Sequence, residues 1–266
     1  MAALGAQLCR VLLWLLAAAA AAAASARAEG PAAAAPRSGY DYLAPETKAM
    51  QDDDFSNPGF FWVDRGAALW RETAGAAGKS CADCHGDART SMKGVATVYP
   101  KVEPSLGKPV NLEQRINLCR VRRMQAPPFE YESRELVALT TFIAYQSRGM
   151  KVDVTIDGPA APFYEKGRAF YFRRRGQFDL ACYQCHDANA GKMLRGERLS
   201  EGHTNGFPSY KLKWQEVGST HRQFRRCNSL ARSEPYDYGA DEYVNLELYL
   251  AYRGRGLPIE APSVRP

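Results

Sequence analysis

The chain has 266 residues, 45% of them hydrophobic and 11% aromatic, with a formal net charge of +6. That length holds one large domain or two small ones, and that apolar content excludes a disordered chain. The charge is too mild to indicate nucleic acid as a partner.

At the N-terminus, Arg10 precedes the apolar run Val11–Leu16, a stretch of alanines and the small-x-small ending Ala26-Arg27-Ala28. A single charge, an apolar stretch short for a bilayer and that ending predict a secretory signal peptide over residues 1–28. Export to the periplasm follows, with no membrane span in the mature chain. Cys9 lies before the apolar run, out of place for a lipid-attachment cysteine. Removing Arg10 and Arg27, with no acid beside them, lowers the net charge from +6 to +4. Residues 29–38 read as a flexible lead-in.

Residues 39–150 form a first unit. It carries Gly66-Ala-Ala-Leu-Trp70, then Cys81-Ala-Asp-Cys84-His85, then a lone Cys119 inside Asn117-Leu-Cys-Arg120. Leu136, Leu139 and Ile143 fall on one stripe of a closing amphipathic helix, and Gly149 reads as its stop. The Gly- and Pro-bearing segment Lys151–Pro162 reads as a linker. Residues 163–266 repeat the order. Gly167-Arg-Ala-Phe-Tyr171 and Cys182-Tyr-Gln-Cys185-His186 lie 101 positions on, and Cys227 stands alone. A second closing helix with Leu246, Tyr249 and Leu250 ends at Gly256, at an offset of 107. A repeat near 100 residues is too long for a solenoid unit and suits a small cofactor-bearing domain. Few segments alternate at period two. The fold class is therefore mainly α, two tandem domains with long irregular loops.

Cys-x-x-Cys-His is the attachment signature of c-type haem. Two thiols on one helical turn add to the vinyl groups and the adjacent histidine reaches the iron. A redox dithiol or a zinc site would use the same residues. Two copies at matching places in an exported chain argue against both, and each half offers few further zinc ligands. The expected cofactors are two covalently bound haem c groups, attached at Cys81, Cys84, Cys182 and Cys185 and ligated by His85 and His186. After His85 the first half has no further histidine; its other candidates are Met92, Met124, Met150 and Cys119. The second half offers His203, His221, Met193 and Cys227. Only the lone cysteine recurs in both halves, so a thiolate on each iron is the economical reading. The alternative is a Cys119–Cys227 disulfide.

Around Cys227 the chain reads His221-Arg-Gln-Phe-Arg-Arg-Cys-Asn. Cations beside a cysteine favour its thiolate. Arg222, Arg225 and Arg226 are candidates for holding a small oxyanion through paired hydrogen bonds, or else for a solvated face or haem propionates. Arg173-Arg174-Arg175 reads as surface; Arg120, Arg122 and Arg123 sit beside Cys119, placed for propionates. Lys211, Lys213 and His203 receive no role, and Trp62, Trp70 and Trp214 read as packing.

With these motifs, the Phe-Arg-Arg-Cys-Asn segment and the ending Leu-Glu-Leu-Tyr-Leu-Ala-Tyr-Arg-Gly-Arg-Gly-Leu-Pro-Ile-Glu, nearly the whole mature chain resembles the dihaem SoxA family of the SoxAX cytochrome complexes. The resemblance implies cytochrome c-like domains, a monohaem SoxX-like partner and a SoxYZ-like carrier protein. It also implies an L-cysteine S-thiosulfotransferase activity that oxidatively conjugates thiosulfate to a carrier cysteine. It implies Cys119 and Cys227 as distal iron ligands, with Cys227 catalytic and able to hold an extra sulfur as a persulfide. The family's substrate arginine is expected four residues before that cysteine, where this chain has Gln223.

A dihaem electron carrier without substrate chemistry is the competing reading, and a dihaem peroxidase the third. Electron paramagnetic resonance separates the ligand sets. A low-spin ferric His/thiolate signal is expected, and a His/Met signature would remove the sulfur ligands.

Overall fold

The computed structural model describes residues 35–266, so the expected signal peptide lies outside the described residues. Helices dominate: α1 (Pro45–Asp52), α2 (Phe60–Arg71), α3 (Cys81–His85), α4 (Ala88–Ser91), α5 (Leu112–Cys119), α6 (Arg134–Tyr145), α7 (Ala161–Phe172), α8 (Cys182–His186), α9 (Thr220–Leu230) and α10 (Asp241–Arg253). A π-helical turn, Arg120–Met124, follows α5. The strands are short: β1 (Lys101–Glu103) pairs antiparallel with β2 (Lys108–Val110), and β3 (Met193–Leu194) with β4 (Glu197–Arg198). β5 (Ser209–Lys211) lies between β6 (Glu216–Gly218), antiparallel, and β7 (Ser263–Arg265), parallel. The mainly α expectation holds.

Each closing helix crosses the helix that precedes its Cys-x-x-Cys-His turn, α6 on α2 and α10 on α7. The crossing is closest at a glycine in each case. A Cβ on Gly66 would stand 2.2 Å from the Ala138 carbonyl oxygen, and one on Gly167 would stand 1.9 Å from that of Asn245. Only a residue without a side chain permits that approach. Apolar residues then close around each crossing. Trp70, Leu136, Leu139 and Ile143 fill the first core; Phe170, Tyr171, Tyr243 and Leu246 fill the second. Leu136 and Leu139 are essentially inaccessible, and each such burial is worth roughly 1.5–3 kcal/mol.

Two expectations are corrected at the seam. Gly149 and Gly256 do not stop the closing helices, which end at Tyr145 and Arg253. Both glycines instead have positive φ in later turns and donate their amides across the molecule, Gly149 to the Ile259 carbonyl (2.8 Å) and Gly256 to the Val152 carbonyl (2.9 Å). Met150 and Val152 complete the exchange with Ile259 and Leu257. The segment read as a linker is therefore strapped down over its first residues. Val152 and Val154 are buried with Ala144, Leu248, Ala251 and Ile259 in a third core. The strap ends at Ala160, since α7 begins at Ala161.

The lead-in is corrected at its end too. Ser38 is buried, its hydroxyl donating to Glu260 and accepting from Asn205 Nδ2, and the Arg37 amide donates to Glu201. α1 then packs on β7, where Gln51 Oε1 accepts from the Val264 amide (3.0 Å). The beginning and end of the described chain are thus clasped together, and residues 36–266 form one contact unit.

Gly167→Ala should cost about 1–3 kcal/mol, because the added methyl has no room unless α7 and α10 separate. Chemical denaturation of the holoprotein measures it; an unchanged midpoint would show that the crossing yields freely.

Candidate functional site

The second Cys-x-x-Cys-His turn is α8. Its start is fixed by Gln184, whose Oε1 accepts from the Ala181 amide at 2.7 Å, and one turn of helix puts Cys182, Cys185 and His186 on the wall of a cavity of about 810 Å³. His186 Nδ1 donates to the Ser200 carbonyl oxygen at 2.8 Å. That bond leaves Nε2 as the free nitrogen and aims it into the cavity. Gly202 supports the ring from behind with φ +76°; a Cβ there would lie 2.9 Å from His186 Cγ.

Opposite stands α9, started by Ser219, whose hydroxyl accepts from the Arg222 amide at 3.2 Å. Two turns along, Cys227 reaches hydrogen-bonding range of His186, and Gln223 Nε2 donates to its Sγ at 3.4 Å. Burial pushes the Cys227 thiol up, but His186, Gln223 and the Arg226 charge outweigh it and hold the thiol below its ordinary value. Its cavity neighbours behave oppositely: burial, with Cys227 adding, pushes Cys182 up to about 12 and raises Cys185. The three thiols in one cavity are thus shifted in opposite directions, the two on α8 towards the neutral form and the one on α9 towards the thiolate.

Of the three arginines expected at the substrate, only Arg226 lines the cavity. Arg222 turns away to stack on Trp214 (4.4 Å to the ring centroid) and to pair with Glu216 (3.1 Å). Arg225 donates to the Tyr236 carbonyl and stacks on Tyr238. Helical periodicity carries the reason: positions 223, 226, 227 and 230 share the cavity face of α9, while 222, 225 and 229 share the other. Two further cations arrive from outside the motif, Lys211 on β5 and Arg265 on β7. Burial, then the charges of Arg265 and Arg226, lowers Lys211 to about 7. Arg265 is paired with Glu260 and with Gln51 Oε1, and Arg226 lies 3.4 Å from Glu197. No local motif marks Lys211 or Arg265; only the sheet brings them beside Cys227. Arg175 also joins the wall, donating to Asn228 Oδ1 (2.8 Å) and stacking on Tyr236, which corrects its reading as surface.

The first site repeats the plan at the matching offsets. Ser80 and Asp83 form the capping box of α3, and Trp70 Nε1 donates to the Gly86 carbonyl (3.0 Å) with its ring 5.7 Å from that of His85. In the second half the equivalent is Tyr171, whose hydroxyl donates to Asp187 (2.7 Å). Cys119 ends α5 close to Cys81, whose thiol is pushed up to about 11 by burial and by Cys119. Cys84 and His85 are exposed. Arg120 is buried, donating to the Pro127 carbonyl and stacking on Phe129 (3.5 Å). Cys119 and Cys227 are both free thiols, each beside its own Cys-x-x-Cys-His turn.

The donor set of the larger cavity fits haem c. An imidazole nitrogen and a thiol held below its ordinary value meet there, two further thiols stand on one helical turn, Phe170, Phe224, Leu246 and Leu250 supply apolar walls, and Arg175 supplies a cation for carboxylates.

A cytochrome c domain model described as SoxA/TsdA matches residues 65–152. Among characterised relatives, the L-cysteine S-thiosulfotransferase subunit SoxA of Rhodovulum sulfidophilum is 45% identical over 90% of this chain and 85% of its own. Those of Pseudaminobacter salicylatoxidans (42%, covering 86% and 80%) and Paracoccus pantotrophus (40%, covering 86% and 78%) are similar. A chain in the crystal structure of SoxXA from P. pantotrophus superposes with a TM-score of 0.84 at 40% identity, covering 87% of each chain. Among the described residues no helix is long and apolar enough to cross a membrane.

Gly202→Ala is expected to displace the Ser200–Gly202 loop and release the His186 Nδ1 hydrogen bond. The covalently loaded protein should then show a perturbed visible spectrum and about 1–3 kcal/mol lower stability; an unchanged spectrum would mean the loop does not orient the ring.

Proposed function

The chain belongs to the SoxA family of haem c subunits, and from that premise we propose that it is a periplasmic L-cysteine S-thiosulfotransferase that joins thiosulfate oxidatively to a cysteine of a SoxYZ-like carrier, working with a SoxX-like monohaem partner. The observation that carries the reading is the meeting, in one cavity, of the Cys227 thiolate with Lys211, Arg226 and Arg265. A nucleophilic sulfur beside a cluster of cationic side chains suits a small sulfur oxyanion.

Two haem c groups are proposed, at Cys81, Cys84 and His85 with Cys119, and at Cys182, Cys185 and His186 with Cys227. The support is the repeat offset, the free thiols and the pairing of each lone cysteine with its own turn. The division into domains 39–150 and 163–266 follows the same repeat. When bound, haem supplies a one-electron acceptor through which electrons leave singly.

The chain's own residues do the rest. Arg226 and Lys211 hold the sulfonate end of thiosulfate, with Arg265 completing the positive field. Gln223, at the position where the family resemblance expects arginine, donates to the Cys227 sulfur and leaves its Oε1 buried without a partner among the described residues. That shift of anion binding from position 223 to Lys211 and Arg226 keeps the charge in the cavity while steadying the nucleophile. Thiosulfate and the carrier thiol form one sulfur–sulfur bond, the thiol proton leaves, and two electrons depart. The apolar walls exclude water from the cleavable sulfur species.

Anaerobic turnover with a SoxX-like partner and a carrier thiol tests the reading. Cys227→Ala should abolish thiosulfate-dependent cytochrome reduction with haem still attached; retained turnover would leave an electron carrier. Lys211→Met should cut kcat/KM for thiosulfate about 10–100-fold, the worth of one charge-assisted hydrogen bond. Arg222→Gln should stay within about twofold, its partners lying outside the cavity. Equal losses at Lys211 and Arg222 would refute the assignment of the anion site.

A further inference from the structure

Beside the large cavity lies a second, of about 50 Å³, partly open and lined by residues of both repeats. Thr204, Phe207 and Thr220 form part of the wall of both. Its other side belongs to the first half, with Tyr99, Leu112, Glu113 and Thr140. It therefore lies between the large cavity and residues of the first half.

The lining is mixed, with the acceptors Glu113, Glu247, Thr140 and Asn205 set among apolar side chains. Glu113 is 6% exposed, and Glu247 faces the same space. Thr140 Oγ1 and Asn205 Oδ1, on residues 2% and 3% exposed, have no hydrogen-bond partner among the described residues. Buried polar atoms left in that condition are destabilising. A cavity of this size has room for roughly three waters, each needing about 10–15 Å³, and such waters would supply the missing partners.

Charge must balance as well. Glu247 has its own support: Asn111 Nδ2 donates to its Oε2 (3.1 Å) and His221 Nε2 lies 3.2 Å away. His221 Nδ1 accepts from the Gly239 amide (3.1 Å), which turns Nε2 towards Glu247. Glu132 faces Arg222 at 3.9 Å and accepts from the Ser219 amide. Tyr131, stacked on His221, donates nothing to Glu113, its hydroxyl meeting Asn111. Tyr99 has Arg115 nearby, but that arginine pairs with Glu103 (2.7 Å). No cation among the described residues serves Glu113. Burial first, then the Glu247 and Glu132 charges, hold its carboxyl well above the ordinary carboxylate range.

We propose that this inner cavity is a hydrated proton site, in which Glu113 takes up a proton as an electron arrives at the haem held at His186 and returns it as the electron leaves. The inference rests on the seating of haem at that residue proposed above. The conjugation reaction supplies the electron, solvent supplies the proton through the cavity waters, and oxidation by the partner sends both away. An added negative charge behind Thr204, Phe207 and Thr220 acts on Glu113 through a medium with little screening, so the neutral acid gains stability on reduction. The sign is fixed: reduction that takes up a proton becomes harder as pH rises.

Redox-difference infrared spectroscopy and potentiometric titration of the holoprotein provide the test, with covalent haem counted by mass in every sample. In the wild type a protonated-carboxyl C=O band should grow on reduction and shift down in D2O. Glu113→Gln should remove the band, and Glu113→Asp should move it. The potential of the second haem should fall with rising pH in the wild type and flatten in Glu113→Gln. A wild type without such a band overturns the proposal by itself, whatever becomes of the variants. A band and a slope that persist in Glu113→Gln overturn it equally. Haem missing from Cys182 and Cys185 would overturn the seating it rests on, and is read separately by mass.

Discussion

One contact organises the second half of this protein: the free nitrogen of His186 meets the sulfur of Cys227 within hydrogen-bonding range on the wall of a large cavity. Neither group could be there alone. The imidazole is turned by the Ser200 carbonyl and backed by Gly202, and the sulfur is carried in by a helix whose neighbours share its face. Around that pair the upward push of burial on a thiol is outweighed at Cys227, while Cys182 and Cys185 keep it. The division of labour among the thiols comes from what each one faces.

The repeat extends this logic to the first half and shows how duplication is tolerated. Both copies keep the glycine crossing and the apolar closing helix, because each would lose its core otherwise. They differ where the surroundings differ: Trp70 reaches a backbone carbonyl, whereas Tyr171 reaches Asp187, which also binds Arg253 at 2.6 Å. The second copy has a charged network beside its Cys-x-x-Cys-His turn, and the large cavity lies there.

Legibility in the sequence tracks how local the governing physics is. The Cys-x-x-Cys-His turns, the lone cysteines and the closing helices were readable, because covalent spacing and helical period write themselves into consecutive residues. Gly149 and Gly256 were readable as special positions but not as cross-links, since their partners, Ile259 and Val152, lie about a hundred residues away. Lys151–Val154 looked like a linker by composition, yet Val152 and Val154 are core. The arginines around Cys227 looked equivalent in a line of text, and only the helix separates Arg226 from Arg222 and Arg225. Lys211 and Arg265 left no local trace, because a parallel strand pair assembled from distant segments brings them in.

The clasp between the two ends of the described chain has one more result. β7 supplies Arg265 to the cavity, and Pro266 stands on the same wall, while α1 and Gln51 hold that strand in place. Anything appended after Pro266, such as an affinity handle or a fused reporter, would begin on the wall of the large cavity and compete with ligands for its space. Purification therefore does better with a removable handle, or with none.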